Sequence, residues 1–368
     1  MGTRGEPSSP RETPSLEALG NPAHYVHHSI AGHRRARGGD DRIREGVTRR
    51  EGRSMKSRLQ RRGTVEYVRA RRDQTAVGID PGGRSARYFG DLKEDMPSFI
   101  VEGGHSLSGS VRPAGNKNAA LPAIAATVLA TEPVTLQNIP RIRDVETLLE
   151  IVASLGAKVS WDDDNVVTVD ASSVVSAEID RALAERIRAS LLLAGPLLAR
   201  FGRVDLPPPG GDVIGRRRMD THFLAFEALG AEIRLNGGFQ IDAAALKGAD
   251  IFLDEPSVTA TENAIMAAVL AEGETLMRNV ASEPHVQDLC RLLNGMGANI
   301  EGIGTNRLRI EGVRELGGTT FRIGTDHIET GSFIGLAAVT GSELVVEGAP
   351  IEHLDSTLLG FARLGVEV

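Results

Sequence analysis

Between residues 145 and 155 the apolar side chains Val145, Leu148, Leu149, Val152 and Leu155 fall at offsets of 0, 3, 4, 7 and 10, one face of an α-helix. The same offsets before Gly297 select Val286, Leu289, Cys290, Leu293 and Met296, and before Gly230 they select Met219, His222, Phe223, Phe226 and Leu229. Each stripe closes on a related phrase, SLGAKV, ALGAEI or GMGANI, and a fourth, RLGVEV, ends the chain. The glycines Gly156, Gly230, Gly297 and Gly365 are 74, 67 and 68 residues apart, so a repeat of about 70 residues runs through the chain. A glycine at that point can end a helix in left-handed backbone. Asp144 and Asp220 stand where N-caps are expected.

Short alternating strand pairs follow three of the glycines: AKVSWDDDNVVTVDA, AEIRLNGGFQIDAA and ANIEGIGTNRLRIEG. Upstream of each stripe lies another apolar helix and a strand, as in NAALPAIAATVLATEPVTLQNI and ENAIMAAVLAEGETLMRNV. The unit therefore reads helix, strand, helix, strand, strand, which predicts an α/β fold of helices layered against sheets. The fourth copy stops three residues past its glycine, without its closing hairpin, and leaves an expected unpaired edge.

Composition divides the chain in two. Residues 1–95 hold 20 Lys+Arg against 13 Asp+Glu, whereas the remainder holds 22 against 36. The first part lacks a sustained apolar period and is rich in Arg, Gly and Ser, so it is expected to form a disordered basic tail. Its acidic residues are interspersed, which argues against a nucleic-acid partner, and translation starting at Met96 would leave it out altogether. The chain of 368 residues is long enough for more than one domain. Its single cysteine, Cys290, precludes an internal disulfide and sits on an apolar stripe, where a buried structural thiol is expected. The alanine-rich run 119–130 is interrupted by Pro122 and too short to span a bilayer, so no membrane association and a cytoplasmic location are expected. No HExxH or CxxC pattern argues for a metal, and no cofactor is called for.

Polar residues gather at equivalent points of the repeat. Lys117 and Asn118 open one upstream helix, Arg188 lies at the start of the next, and residues 257–263, SVTATEN, open the third. A helix start offers free N–H groups and the positive end of the dipole, both suited to an anion. Residues 206–222 read LPPPGGDVIGRRRMDTH and hold the carboxyl of Asp212 beside Arg216, Arg217 and Arg218. If the helix starts face one cleft, that cleft is cationic and matched to substrates bearing phosphate or carboxylate groups.

The ordered series AGNKNAALP, RASLLLAGPLLARFG, LPPPGGDVIGRRRMDTH, LDEPSVTATENAIMAA and DHIETGSF resembles the enolpyruvyl transferases that act on UDP-N-acetylglucosamine (the UDP-N-acetylglucosamine 1-carboxyvinyltransferase family) from about Pro97 to Val368. The resemblance implies an inside-out α/β repeat. Residues 114–324 would form one complete domain of three repeat units, residues 97–113 and 325–368 part of a second, and residues 1–95 would lie outside both. It also implies transfer of the enolpyruvyl group from phosphoenolpyruvate to the 3-hydroxyl of UDP-N-acetylglucosamine with release of phosphate. Carried over residue by residue, Lys117 and Asn118 match the phosphoenolpyruvate pair and Arg188 an arginine of the cleft. Asp212 matches the loop's general acid, where the family commonly has cysteine, and Arg217 a loop arginine near the phosphate. Arg217, Arg218, Met219, Asp220 and Thr221, followed by His222, overlap one nucleotide-sugar segment; Glu255, Pro256, Ser257 and Val258 match another, with Glu255 in place of a frequent lysine. The family has six copies of the repeat and further site residues in its C-terminal part, so weak or no turnover by this polypeptide alone is expected. The alternatives are a noncatalytic UDP-sugar-binding homologue and the sister transferase acting on shikimate 3-phosphate.

Overall fold

The computed structural model describes residues 104–211 and 218–368, and the backbone alone of four short strands before them, Glu66–Ala70, Gly78–Ile79, Ser85–Ala86 and Phe99–Gly103. Apart from three of those strands, the basic tail expected over residues 1–95 lies outside the described residues.

The five-element unit recurs three times. After strand β1 (Ser108–Val111), the first unit comprises α1 (Lys117–Ala126), β2 (Val134–Gln137), α2 (Arg143–Ser154), β3 (Lys158–Asp163) and β4 (Val166–Asp170). A short helix α3 (Arg181–Ala184) leads to the second unit, in which a 3-10 turn (Arg188–Leu193) runs into α4 (Ala194–Phe201). Then come β5 (Arg203–Leu206), α5 (Asp220–Ala228), β6 (Glu232–Leu235) and β7 (Phe239–Asp242). Strand β8 (Asp250–Phe252) precedes the third unit: α6 (Val258–Ala268), β9 (Glu274–Arg278), α7 (Pro284–Gly295), β10 (Asn299–Glu301) and β11 (Arg307–Glu311). β12 (Thr320–Arg322), α8 (His327–Thr340), β13 (Glu343–Val346) and α9 (Asp355–Arg363) complete the chain.

In every unit the last strand lies in the middle of the sheet. β4 pairs antiparallel with β2 and β3, β7 with β5 and β6, and β11 with β9 and β10. The chain leaving each hairpin then adds in parallel to the next unit's sheet: Glu178 bridges to Asp205 of β5, and β8 pairs with β9. β12 closes the ring by pairing in parallel with β2, so the third unit hands its exit strand back to the first.

The helices lie inside and the sheets outside. In α1 every residue from Ala119 to Ala126 is buried, and in α6 every residue from Ala260 to Ala268. Alanine is the commonest residue in both helices, which are enclosed almost all round, and their small side chains permit close approach. Gly195 of α4 shows how close: a Cβ there would lie 2.4 Å from the carbonyl oxygen of Asn263 in α6. The sheets are one-sided, with Val167 and Val169 of β4 and Leu308 and Ile310 of β11 turned inward between polar neighbours.

The predicted stripes are core. Val145, Leu148, Leu149, Val152 and Leu155 are at most 4% exposed, and Cys290 is 1% exposed with its thiol pushed up to about 12 by burial. Gly156, Gly230, Gly297 and Gly365 all have positive φ. The expected caps differ: Asp144 and Asp220 lie inside the first turns of α2 and α5, whose N-cap positions are Ile142 and Met219 with no side-chain bond. Both carboxylates therefore stand at the positive end of the helix dipole rather than at the N-cap itself.

β1 pairs in parallel with β13 and takes no part in the three-unit sheets. It enters α1 through Gly115, which bridges Thr325 on the strand leaving β12, and Asn116 N–H and Asp326 N–H bond Gly324 and Ala114 carbonyls across this double crossing. Beyond the crossing, Ile328, Val339, Val345, Ile351, Leu359 and Leu364 are each more than half exposed.

Candidate functional site

The arginine-rich segment is rooted in the second unit. Leaving β5, it passes Gly210, whose N–H donates to the Ala184 carbonyl at 3.1 Å, and Gly211, which has φ of +90°. A Cβ on Gly210 would lie 1.6 Å from the Glu185 carbonyl oxygen, and one on Gly211 3.0 Å from the Arg188 nitrogen, so only glycines let the chain press against this turn. Asp212, Arg216 and Arg217 lie outside the described residues.

Where the segment re-enters at Arg218, its guanidinium meets three carboxylates: Asp220 at 2.6 Å, Asp254 at 2.5 Å and Glu255 at 3.4 Å. Hydrogen bonds from Arg218 hold the Asp220 and Asp254 carboxyls below their ordinary range and raise Arg218 further. The Thr221 hydroxyl donates to the other oxygen of Asp254 at 2.9 Å. Arg218 is 47% exposed, so each pair contributes little to stability. Its chemical meaning is competition: an arriving anion must share Arg218 with Asp220, Asp254 and Glu255.

Thr221 and His222 were expected among the substrate contacts, but their side chains lie beneath the surface, 2% and 1% exposed. His222 takes the place of a leucine on the α5 stripe and packs against α6. Its Nδ1 lies 3.1 Å from Asn263 Nδ2, and its Nε2 3.2 Å from Thr259 Oγ1. Burial first, and then the charge of Arg188, push its pKa down to about 4, with Asp220 opposing. A histidine ordinarily near 6.5 takes up protons more readily when unfolded. Its contribution to stability is complete above pH 6.5 and lost as pH falls towards 4, about 2 kcal/mol by pH 5. Urea unfolding of the chain between pH 7 and 5 should show this loss, and His222→Gln should flatten it; an unchanged slope in the variant would contradict the assignment.

Lys117 is the first residue of α1, beside the cap bond from Ala119 N–H to the Asn116 side chain. Its ammonium pairs with Asp144 of α2 at 3.1 Å, both side chains nearly half exposed. Asn118 and Arg188 are half-buried, and α1 packs on the Arg188–Leu193 turn. Ser257 caps α6 through Ala260 N–H at 3.4 Å; Ser257, Val258 and Met219 are half-buried, and Glu255 and Pro256 are exposed. The structure thus brings together Arg188, His222 and the α6 start, and joins Arg218 and Thr221 to Asp254. Lys117 and Asn118 stand on the adjoining helix.

Sequence reasoning missed Asp254; it named Asp144 as a cap and Thr259 and Asn263 within the helix-start phrase SVTATEN, but not as the partners of Lys117 and His222. It also missed a cavity of about 330 Å3 at the double crossing, lined by Asn116, His285, Asp288, His327 and His353. There the His327 ring stacks on His285 at 6.2 Å and meets His353 edge-on at 6.4 Å. Burial lowers the pKa of His285 and His327 and raises that of Asp288. A further cavity of about 490 Å3 lies at the second unit beside Glu178, Asp180, Arg181 and Asp205, where carboxylates outnumber the one arginine. Among the described residues no cluster of His, Cys, Asp or Glu is arranged to hold a metal ion, and no helix is long and apolar enough to cross a membrane.

Three sheets wrapped around buried helices define an inside-out α/β repeat protein of the enolpyruvyl transferase kind. Residues 101–368 match the family described as EPSP synthase (3-phosphoshikimate 1-carboxyvinyltransferase), and the chain belongs to that family. It is 60% identical over 268 residues to UDP-N-acetylglucosamine 1-carboxyvinyltransferase of Bradyrhizobium diazoefficiens, covering 73% of this chain and 62% of the relative. The enzyme of the same name from Treponema denticola is 53% identical over 271 residues, covering 74% and 64%. The chain therefore spans less than two thirds of the length of these relatives. Among solved structures, the enolpyruvyl transferase NikO from Streptomyces tendae superposes with a TM-score of 0.63 at 27% identity, over 72% of this chain and 63% of that one. An EPSP synthase from Acinetobacter baumannii, at 20% identity and a TM-score of 0.57, shares the fold.

Proposed function

We propose that this chain carries the nucleotide-sugar and phosphoenolpyruvate machinery of a cytoplasmic UDP-N-acetylglucosamine 1-carboxyvinyltransferase, which performs the first committed step of peptidoglycan synthesis. Residues 114–324 form its first domain, and 97–113 with 325–368 belong to a second. The observation that carries the reading is the meeting of Arg188, the Arg218–Thr221–Asp254 group and the α6 start at one place, in a chain 60% identical to a relative of that name.

In this reading Asp212 protonates the methylene carbon of phosphoenolpyruvate while the 3-hydroxyl oxygen of the sugar bonds to C2 and loses its proton, giving a tetrahedral ketal. Loss of phosphate from C2 and of a proton from the new methyl group then restores the double bond as an enol ether. Lys117, Asn118 and Arg217 meet the phosphoenolpyruvate, Arg188 stands between the substrates, and Arg218 to Thr221 with Glu255 to Val258 frame the UDP-sugar. An aspartic acid donates only when neutral. Neighbouring arginines favour its carboxylate, and an anionic substrate opposes them.

Calorimetry on the whole chain tests the substrate: UDP-N-acetylglucosamine is expected to bind and shikimate 3-phosphate not to, and the reverse order would sink the reading. The acid is tested separately. Because Asp212 offers no thiol, the epoxide antibiotic fosfomycin should leave the loop unmodified, whereas Asp212→Cys should gain one adduct by mass spectrometry. An adduct on the unsubstituted loop would end that assignment.

A further inference from the structure

Asn116 ties the start of α1 to the far side of the double crossing. Its side chain is 3% exposed, and its Oδ1 accepts from Ala119 N–H at 3.1 Å, so the oxygen caps α1 and the orientation of the amide is fixed. The remaining Nδ2 can only donate, and it lies 3.3 Å from Nδ1 of His327, the first residue of α8. His327 Nδ1 must therefore accept. The neutral ring then carries its proton on Nε2.

That ring stands in the wall of the cavity of about 330 Å3, where several elements bring titratable groups together. From α7 comes His285, stacked on it at 6.2 Å, with Asp288 paired to Arg291 at 3.2 Å and Glu283 at the N-cap. A short 3-10 turn (Ile351–His353) supplies Glu352 and His353, the latter edge-on at 6.4 Å. At the start of α8, Asp326 accepts from Ile328 and Glu329 N–H at 2.8 and 3.0 Å, and the Glu329 carboxylate from Ala114 N–H at 2.6 Å. Lys117 of α1 is turned to Asp144. His285 is 6% exposed, and among the described residues its Nδ1 has no hydrogen-bond partner. A charge on His327 is thus opposed by burial and by the neighbouring imidazoles, and favoured by Asp326 and Asp288. Burial is the largest influence and keeps the ring below the ordinary histidine range.

A second proton on that ring, at Nδ1, sets a donor against the Asn116 donor. Two relaxations are open. The amide can turn over, giving its oxygen to the imidazolium and its NH2 to Ala119 N–H, which uncaps α1. Alternatively the ring can swing into the cavity, which releases the side-chain tie between α1 and α8. Either one loosens Lys117 and Asn118, the first two residues of α1.

We propose that His327 is a proton-sensitive positioning residue for the start of α1: its neutral ring accepts from Asn116 and steadies the cap, and its protonated ring releases it. The switch stands on the geometry of the crossing and the cavity. Its effect on phosphoenolpyruvate rests on the reading of Lys117 and Asn118 given above.

The test of the switch is nuclear magnetic resonance on the full chain from pH 8 to 5, following the His327 ring and the Ala119 amide proton. At pH 8 the ring should be the Nε2–H tautomer, and exchange of Ala119 N–H with solvent should speed up as the ring titrates. Asn116→Asp keeps a capping oxygen and adds one that favours an imidazolium. In that variant the His327 midpoint should rise by about one pH unit or more, with Ala119 protected throughout, a reversal that a merely structural side chain would not give. His327→Asn, whose oxygen accepts from Asn116 without titrating, should also protect Ala119 at every pH. An Nδ1–H ring at pH 8, an Ala119 amide indifferent to the titration, or an unmoved midpoint in Asn116→Asp would each overturn the switch. If Asn116→Asp does not fold, the tautomer and the Ala119 exchange of the unsubstituted chain decide.

Calorimetry with phosphoenolpyruvate tests the consequence. Between pH 7.5 and 5.5 the affinity of the unsubstituted chain should fall by about 3- to 10-fold relative to His327→Asn. A constant ratio would overturn the positioning role. If neither chain binds phosphoenolpyruvate at any pH, the reading of Lys117 and Asn118 fails, and the spectra alone decide the switch.

Discussion

Alanine at Gly115 is expected to cost the chain more than about 4 kcal/mol, the range reserved for overpacking that cannot relax. A Cβ there would sit 1.7 Å from the Asn138 carbonyl oxygen and 2.9 Å from its carbon. Neither side can withdraw. Asn138 is in left-handed backbone with φ of 60°, pinned by its amide to the Ile323 carbonyl at 2.9 Å. Gly115 lies between the bonds from Asn116 N–H to Gly324 and from Asp326 N–H to Ala114, both 2.9 Å. The damage falls on the double crossing and on the start of α1, hence on the placement of Lys117. Urea unfolding measures it, and Gly360→Ala is the control: nothing lies within 4 Å of that position in α9, so the change should be neutral or slightly stabilising. A Gly115→Ala chain within about 1 kcal/mol of the unsubstituted one would mean that the crossing yields, and its role in positioning α1 would be lost.

What could be read from the sequence follows from the range of each interaction. Helix faces are local, so the stripes through Val145 and Val286 and the glycines that end them were legible, including the burial of Cys290. The ring closure was not. β12 reaches β2 across more than 180 residues, and a three-residue parallel pairing leaves no mark in TFR or VTLQ. The caps failed for a subtler reason: an aspartate one or two positions inside a helix and one at its N-cap look alike in sequence, since both favour the positive end of the dipole. At the site, residues whose chemistry is visible in isolation were found, such as Lys117, Arg188, Arg218 and His222. Their pairings were not, because Asp144, Asp254, Thr259 and Asn263 each come from another element and acquire that meaning only by proximity. Asn263 did lie in the selected phrase SVTATEN, but as part of a helix start; in the structure it is fully buried and acts sideways.

Asn263→Leu should have the second-largest effect, a loss of about 3–5 kcal/mol, for the opposite reason: the shape fits and the polarity does not. Leucine fills nearly the same space but leaves Gly195 N–H, the Leu191 carbonyl and His222 Nδ1 without their partner. All three sit where α4, the Arg188–Leu193 turn and α5 converge on α6, so water cannot replace the amide without forcing those helices apart. Thr261→Val, one turn of chemistry away, gives the scale: it removes a single bond, to Ala281 N–H at 3.1 Å, and should cost about 1–2 kcal/mol. Equal losses in the two variants would show that the Asn263 amide makes one productive bond rather than three. The discriminating measurement is pH-dependent. Burial and the charge of Arg188 set the low His222 pKa and both persist in Asn263→Leu, so His222 should still titrate near 4 and the loss of stability as pH falls from 6.5 towards 4 should remain. A His222 pKa that instead rises towards 6.5 in the variant would show that the Asn263 amide, and not burial with Arg188, keeps the ring neutral.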